Sequence, residues 1–262
     1  MFGIRNKIHR AFGQDETVDV GEVDGVRSMY LGSDTIQSSM LVKAPYDLQL
    51  AYSKGMMLFL LFAPHVRDIV LLGLGGGSIP KYLYHYHSQL ATRVIELNRQ
   101  VISIARSHFY LQDDDDRLSV IEGDGIQYIY DHPETTDLLM LDMFDGSGMP
   151  LKLYSQDFFD ACNTALSSNG VLEINLWGSD KNFDVYLQRI EQSFNSRVLV
   201  IPTGRPGNII VMAFKRVPIE LRWDVVREKA RTLDAEFNLD FMGLLERLRD
   251  HNPNTNNRIS ME

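Results

Sequence analysis

Two carboxylates three residues apart, Asp142 and Asp145 in "DLLMLDMFDGSGMP", stand where an apolar run gives way to a polar one. Paired acids at a strand end attract an ammonium, and one can take its proton as the nitrogen becomes a nucleophile. The same residues also read as a turn at Asp145-Gly146 and a helix cap at Asp142. A second constellation lies upstream, where "IVLLGLGGGSIPKYL" passes from strand-like residues through Gly73-x-Gly75-x-Gly77 into helix-like ones. Such a turn sets bare backbone N–H groups and a helix N-terminus against a ligand held over the strand ends; glycine serves where a Cβ would block the approach. Glu96 follows Gly73 by 23 residues and ends the next apolar run, as an acid that hydrogen-bonds a ribose diol would. Asp124, in "EGDG", ends the third run, where a carboxylate can accept from an adenine amino group. Either acid alone serves equally as a cap. The three features in register point to a nucleoside-binding edge.

The elements that hold these residues follow from periodicity. From Asp68 onward short apolar runs alternate with longer amphipathic ones, the pattern of an α/β domain with a largely parallel sheet. Strands are expected at Asp68–Leu72, Thr92–Leu97, Leu118–Ile121, Asp137–Asp142, Val171–Leu176, Val198–Ile201 and Asn208–Phe214. Helices are expected at Ile79–His87, Arg99–His108, Gln156–Leu166 and Phe183–Phe194. Only "PTGRPG" separates the last two strands, which predicts an antiparallel hairpin at the sheet edge. Residues 17 to 45 alternate and turn as a small β-meander, followed by a helix near Leu48–Phe62. After Arg216 two amphipathic helices are expected, and the tail "NPNTNNRISME" reads as a disordered end. The domain expectation is a β-unit over 1–50, a Rossmann-like nucleoside-binding catalytic domain over 51–216, and helices with a tail over 217–262.

At 262 residues and 44% hydrophobic, the chain can bury one substantial core. A net charge of −9 argues against a nucleic-acid partner and mildly favours a cationic substrate. No segment reaches the roughly 18 apolar residues of a membrane span, so no membrane partner is expected and the protein is read as cytoplasmic. The single cysteine, Cys162, excludes an intramolecular disulfide and reads as a small apolar residue on a helix. No metal site is expected. Consecutive acids in "DDDD", Asp113 to Asp116, cannot all face one ion, and His85 and His87, two apart on a helix, face different ways. Met56 and Met57 read as core.

Two nucleoside-using classes compete for this edge. A dinucleotide dehydrogenase wants a third small residue at the close helix–strand contact, which Ser78 or Ile79 serves poorly; the terminal hairpin is characteristic, as a fold analogy, of S-adenosylmethionine-dependent transferases. The order "GLGGGS", "VIELN", "EGDG", "LLMLDMFDG", "LYSQDFFDACNTALSSNGVL" and "IPTGRPGNIIVMAF" resembles the spermidine synthase and polyamine aminopropyltransferase family from about Gly25 to Lys215. The resemblance implies a Rossmann-like seven-stranded transferase fold with a small N-terminal β-unit. It implies decarboxylated S-adenosylmethionine as co-substrate, a small amine or polyamine as acceptor, and a homodimer. Carried over by position, it makes Asp142 the proton acceptor, with Tyr52 beside the reacting amine. Asp145 and Asn175 become acceptor ligands, Glu96 the ribose ligand, Asp124 and Gly125 the adenine site, and Gln37 a contact from the N-terminal unit.

The departures fall on the acceptor and aminopropyl side. The family's glycine loop carries an acid at the position of Gly76, its Pro-Thr-Tyr becomes Pro202-Thr203-Gly204 followed by Arg205, and an acid and often a histidine next to Tyr52 become Ser53 and Lys54. Two other readings therefore stand beside aminopropyl transfer: a methyltransferase that uses S-adenosylmethionine on the same fold, and a non-catalytic nucleoside-binding relative.

Overall fold

The computed structural model describes residues 6–12, 17–32, 35–143, 154–204 and 207–261. By contact the chain divides into two compact units, one comprising Met1–Leu50, Val70–Tyr128 and Asp142–Pro150, the other Ala51–Ile69, Ile129–Leu141 and Leu151–Glu262.

The first unit begins with an antiparallel sheet of β1 (Asn6–Phe12), β2 (Thr17–Val23), β3 (Val26–Leu31) and β4 (Ile36–Leu41), in that order. The β2–β3 turn is Asp24-Gly25, both at positive φ, the dipeptide that a tight hairpin favours. The meander was expected from residue 17; β1 lies before it, in a stretch where no strand was read. The unit continues through β5 (Asp68–Leu72), α3 (Ser78–Tyr86), β6 (Ala91–Glu96), α4 (Arg99–Phe109), β7 (Leu118–Glu122) and α5 (Gly125–Asp131). Helix α5 was not foreseen. Asp124 starts it, its Oδ1 accepting from the amides of Ile126 at 2.8 Å and Gln127 at 3.4 Å.

The second unit holds α1 (Ala51–Gly55), α2 (Phe59–Phe62), β8 (Thr136–Leu141), α6 (Gln156–Ala165), β9 (Leu166–Trp177), α7 (Phe183–Ser193), β10 (Val198–Pro202), β11 (Asn208–Phe214), α8 (Trp223–Phe237) and α9 (Phe241–His251). The main sheet has seven strands in the order β10-β11-β9-β8-β5-β6-β7. Its β6–β7 and β8–β9 ladders are parallel, while β11 runs antiparallel to both β9 and β10. The α/β expectation and the edge hairpin hold. The edge strand β10 is covered by α9: Asn252 accepts from the Val200 amide and donates to the Val200 carbonyl, both at 2.7 Å.

Two expectations are corrected here. The single helix over Leu48–Phe62 is broken between α1 and α2, where the amides of Met57 and Leu58 turn back to the carbonyls of Lys54 and Gly55, three residues behind. Tertiary packing is the reason: Gly55 lies so close to β11 that a Cβ there would stand 2.8 Å from Ile210 Cγ1 and 2.9 Å from Thr203 Cγ2. The tail is not a disordered end. Its backbone pairs Asn254 with Ile259 and Arg222 with Arg258, Trp223 Nε1 donates to the Thr255 carbonyl at 3.1 Å, and Ile259 is fully buried. Cys162 on α6, Met56 and Met57 are fully buried, as expected.

Candidate active site

In the first unit the strand ends are stitched together by backbone. The Gly73 amide donates to the Ile95 carbonyl at 2.9 Å, that of Gly123 to Glu96 at 3.0 Å, and that of Asp142 to Leu72 at 3.0 Å. This brings Gly73, Glu96, Asp124 and Asp142 to one end of adjacent strands, where open α/β sheets bind ligands. Gly73 has φ +93°, and a Cβ on it would lie 2.2 Å from the Asp142 carbonyl oxygen, so only glycine allows the two strand ends to meet. Gly75 and Gly77 also have positive φ, and Gly125 packs on Leu72, whose Cδ1 would be 3.1 Å from an added Cβ.

Glu96 is held rigidly. Its Oε2 accepts from the Leu74 amide at 2.9 Å and its Oε1 from the Asn98 amide at 2.8 Å. Burial pushes its carboxyl upward, and these backbone N–H groups oppose that by favouring the charged form. A carboxylate has about four lone-pair sites, so acceptor capacity remains beside these backbone donors for a ligand's hydroxyl. Asp124 engages its Oδ1 as the α5 cap. Carboxylates at two neighbouring strand ends are groups that accept from hydroxyl and amino donors.

Gln37 sits on β4, next to the residue that touches the glycine loop: Ser38 Oγ lies 3.1 Å from Ser78 Oγ at the start of α3. A Cβ on Gly76 would stand 2.8 Å from both Ser38 Oγ and Phe109 Cδ1. The family's acid position is thus closed by two neighbours as well as lacking its side chain.

Tyr52 and Asn175 belong to the second unit. Tyr52 is half-buried on α1. Asn175, on β9, is buried opposite Ile210, and its Oδ1 accepts from Asn208 Nδ2 at 2.9 Å. Asp145 and Arg205 lie outside the described residues. Gly204 has φ +101°, and among the described residues nothing lies within 4 Å of where a Cβ would be.

Two ionisable groups escaped the sequence reading. Lys81 on α3 is fully buried, its Nζ donating to the Phe109 carbonyl at 2.5 Å and to Met40 Sδ at 3.2 Å; burial lowers its pKa to about 8. Glu173 on β9 is also fully buried. The only signal of either is a charge inside an apolar pattern, "IPKYL" and "VLEINL". The acid run is spent on local structure: Arg106 pairs with Asp113 at 3.1 Å and Asp114 at 2.8 Å, and Asp115 accepts from Tyr84 Oη and the amides of Arg117 and Leu118. Among the described residues no group of His, Cys, Asp and Glu is placed to share a metal ion.

Known proteins are similar to this chain. Residues 50–219 match the spermine/spermidine synthase domain family. The polyamine aminopropyltransferase of Chromobacterium violaceum is 36% identical over 255 residues, covering 97% of this chain and 98% of that protein. That of Neisseria meningitidis serogroup A is 38% identical over 238 residues, 90% of each chain. A solved spermidine synthase in complex with the transition-state analogue AdoDATO superposes with a TM-score of 0.72 at 19% identity, over 93% of this chain and 85% of that one, and so supports the fold. With more than a third of its residues identical to a polyamine aminopropyltransferase along almost its whole length, the chain belongs to the spermine/spermidine synthase family and is a transferase.

Proposed function

We propose that the chain moves the aminopropyl group of decarboxylated S-adenosylmethionine to a small primary amine. The observation that carries this is the first unit's edge: a backbone-oriented carboxylate, Glu96, lies one strand from Gly73, against which the strand end bearing Asp142 closes. Glu96 would hold the ribose, Asp124 and Gly125 the adenine, and Gln37 would reach the donor from β4. The family resemblance assigns the amine to Tyr52, Asp145 and Asn175.

Asp142 accepts the proton that the amine must lose. The freed nitrogen lone pair forms a bond to the propyl carbon, the carbon–sulfur bond breaks, and its electrons return to sulfur, releasing methylthioadenosine. The sulfonium is already a leaving group, so the protein's contribution is to orient the reactants and to hold a carboxylate where positive charge leaves the nitrogen.

Mass spectrometry of the protein mixed with a panel of diamines and polyamines and each donor tests this. Methylthioadenosine and an amine heavier by one aminopropyl group are expected. Asp142→Asn is expected to slow the reaction by about two to four orders of magnitude while nucleoside binding persists. S-adenosylhomocysteine as the product would instead make the chain a methyltransferase, and nucleoside binding without turnover would make it a non-catalytic relative.

A further inference from the structure

The ladder of β9 carries one ionisable side chain, Glu173, to which the proposed reaction gives no part. It is fully buried, and neither carboxyl oxygen completes a hydrogen bond with another described residue. Its partners in register are Met140 on β8 and Met212 on β11, which offer it nothing polar. Among the described residues, the backbone amide of Phe59 acts on it and favours the charged form, without completing a hydrogen bond. Burial opposes it and holds the carboxyl well above the ordinary carboxylate range.

That amide opens α2, directly after the tightened turn that ends α1. An N–H at the start of a helical segment has no acceptor within its own helix, and in a core it needs one from elsewhere. Glu173 and Asn175, two apart on one strand, face the same side of the sheet. Gly55, at the end of α1, presses on Ile210, the register partner of Asn175. Three residues before Gly55 on the same helix stands Tyr52. A leucine at 173 would fill similar space with no carboxyl to desolvate, so an acid there is costly unless it holds something.

We propose that Glu173 is a positioning residue of the acceptor side, anchoring the break between α1 and α2 through the Phe59 amide and so fixing where Tyr52 stands. This rests on the reading of Tyr52 as the residue beside the reacting amine. The role needs an acceptor oxygen at position 173 and no negative charge.

Glu173→Gln keeps that oxygen, whereas Glu173→Leu removes it at similar volume; Glu173→Met repeats the measurement should the leucine variant not fold. Three readouts separate positioning from general damage: kcat and KM for the best amine of the panel, methylthioadenosine affinity by calorimetry, and hydrogen exchange at the Phe59 amide. The glutamine variant is expected to stay within about threefold of the parent in kcat/KM for the amine. The leucine variant should lose about tenfold or more there, keep its nucleoside affinity, and exchange the Phe59 amide about tenfold faster while α3 and α4 are unchanged. Parental amine kinetics and parental exchange in the leucine variant would overturn the proposal, as would an equal loss of nucleoside affinity. A glutamine variant as impaired as the leucine one would overturn it too, because the charge would then be what matters. Should the parent chain transfer nothing to any amine, the functional reading fails by itself, and the exchange rate at Phe59 still decides the anchor.

Discussion

Lys81 in the first unit and Glu173 in the second are equally buried, and neither faces an opposite charge in any described ion pair. Lys81 reaches a carbonyl and a thioether, whereas Glu173 has a single amide leaning toward it. The contrast extends to their surroundings. Around the glycine loop, several polar groups have partners among the described residues: Glu96 accepts from backbone amides, Ser38 lies against Ser78, and the α4 C-terminus is met by Lys81 and by Arg27, which donates to the His108 carbonyl at 2.5 Å. In the second unit, Asn175 Oδ1 accepts from Asn208 Nδ2 on the neighbouring strand. A ligand that offers the same groups in every turnover gains from partners that are rigid before it binds. The second unit, by contrast, buries an acid whose carboxyl completes no hydrogen bond with the described residues.

The largest expected effect tests how tightly the first unit is closed. Gly73→Ala would place a Cβ 2.2 Å from the Asp142 carbonyl oxygen at φ +93° and should cost more than about 3 kcal/mol, with nucleoside binding lost. Gly204→Ala, at φ +101° with none of the described residues within 4 Å, should cost only the backbone strain, about 1–2 kcal/mol. Denaturant unfolding of the two variants checks this, and equal costs would erase the contrast between the two glycines.

The two buried charges should also respond to pH with opposite sign. The pKa of Lys81 is lowered to about 8, below the 10.5 of an ordinary lysine. Between those values the unfolded chain binds the extra proton, so stability contributed at this position rises with pH, by at most about 3 kcal/mol. Glu173 is raised, so above the ordinary value of 4.5 the unfolded chain sheds a proton that the folded chain keeps, and its contribution falls as pH rises. Relative to the parent, Lys81→Met should therefore lose ground as pH goes from 8 to 10, whereas Glu173→Gln should gain ground upward from pH 5. Chemical denaturation across that range reads both, and slopes of the same sign would show that one of these groups is not titrating as its burial requires.

A smaller effect isolates the ribose contact. Glu96→Gln keeps one acceptor oxygen for two amides and turns an NH2 group toward the other. Nucleoside affinity should fall by about 10- to 100-fold, as expected for losing a hydrogen bond to a charged group. Calorimetry with methylthioadenosine would show it, and an unchanged affinity would leave Glu96 a strand-end cap without a ligand.

These contrasts were only partly legible in the sequence. Strand β5 and its glycine turn, Glu96 at the end of β6 and the β10–β11 hairpin could be read because local pattern and strand alternation place them. Asp124 was read both as an adenine ligand and as a cap, and the cap is present. The break after Gly55 could not be read, because "AYSKGMMLFLLF" is locally continuous and is interrupted only where Ile210 and Thr203, some 150 residues on, press on Gly55. The tail misled by composition: its asparagines and threonine close turns while Ile259 supplies the buried anchor. Glu173 sits in a run whose strand character was clear, but the isolation of its carboxyl depends on β8, β11 and α2.

Gly76 allows the finest test, because the sequence indicates a missing acid and the structure a closed space. An aspartate there would begin its side chain 2.8 Å from Ser38 Oγ and Phe109 Cδ1, so restoring the family's residue should not restore its function. Gly76→Ala measures the closure directly and should cost about 1–3 kcal/mol, the usual range for overpacking. Ser38→Ala should cost about 1 kcal/mol through the lost bond to Ser78. If the β3–β4 hairpin shares in closing the loop, the Gly76→Ala penalty should shrink by about 0.5–1 kcal/mol in the Ser38→Ala background, a coupling that a double-mutant cycle resolves. Additive costs would leave Phe109 alone as the barrier and detach the N-terminal sheet from the glycine loop's shape. Coupled costs would mean that β4, which also carries Gln37, helps to set the shape of the glycine loop.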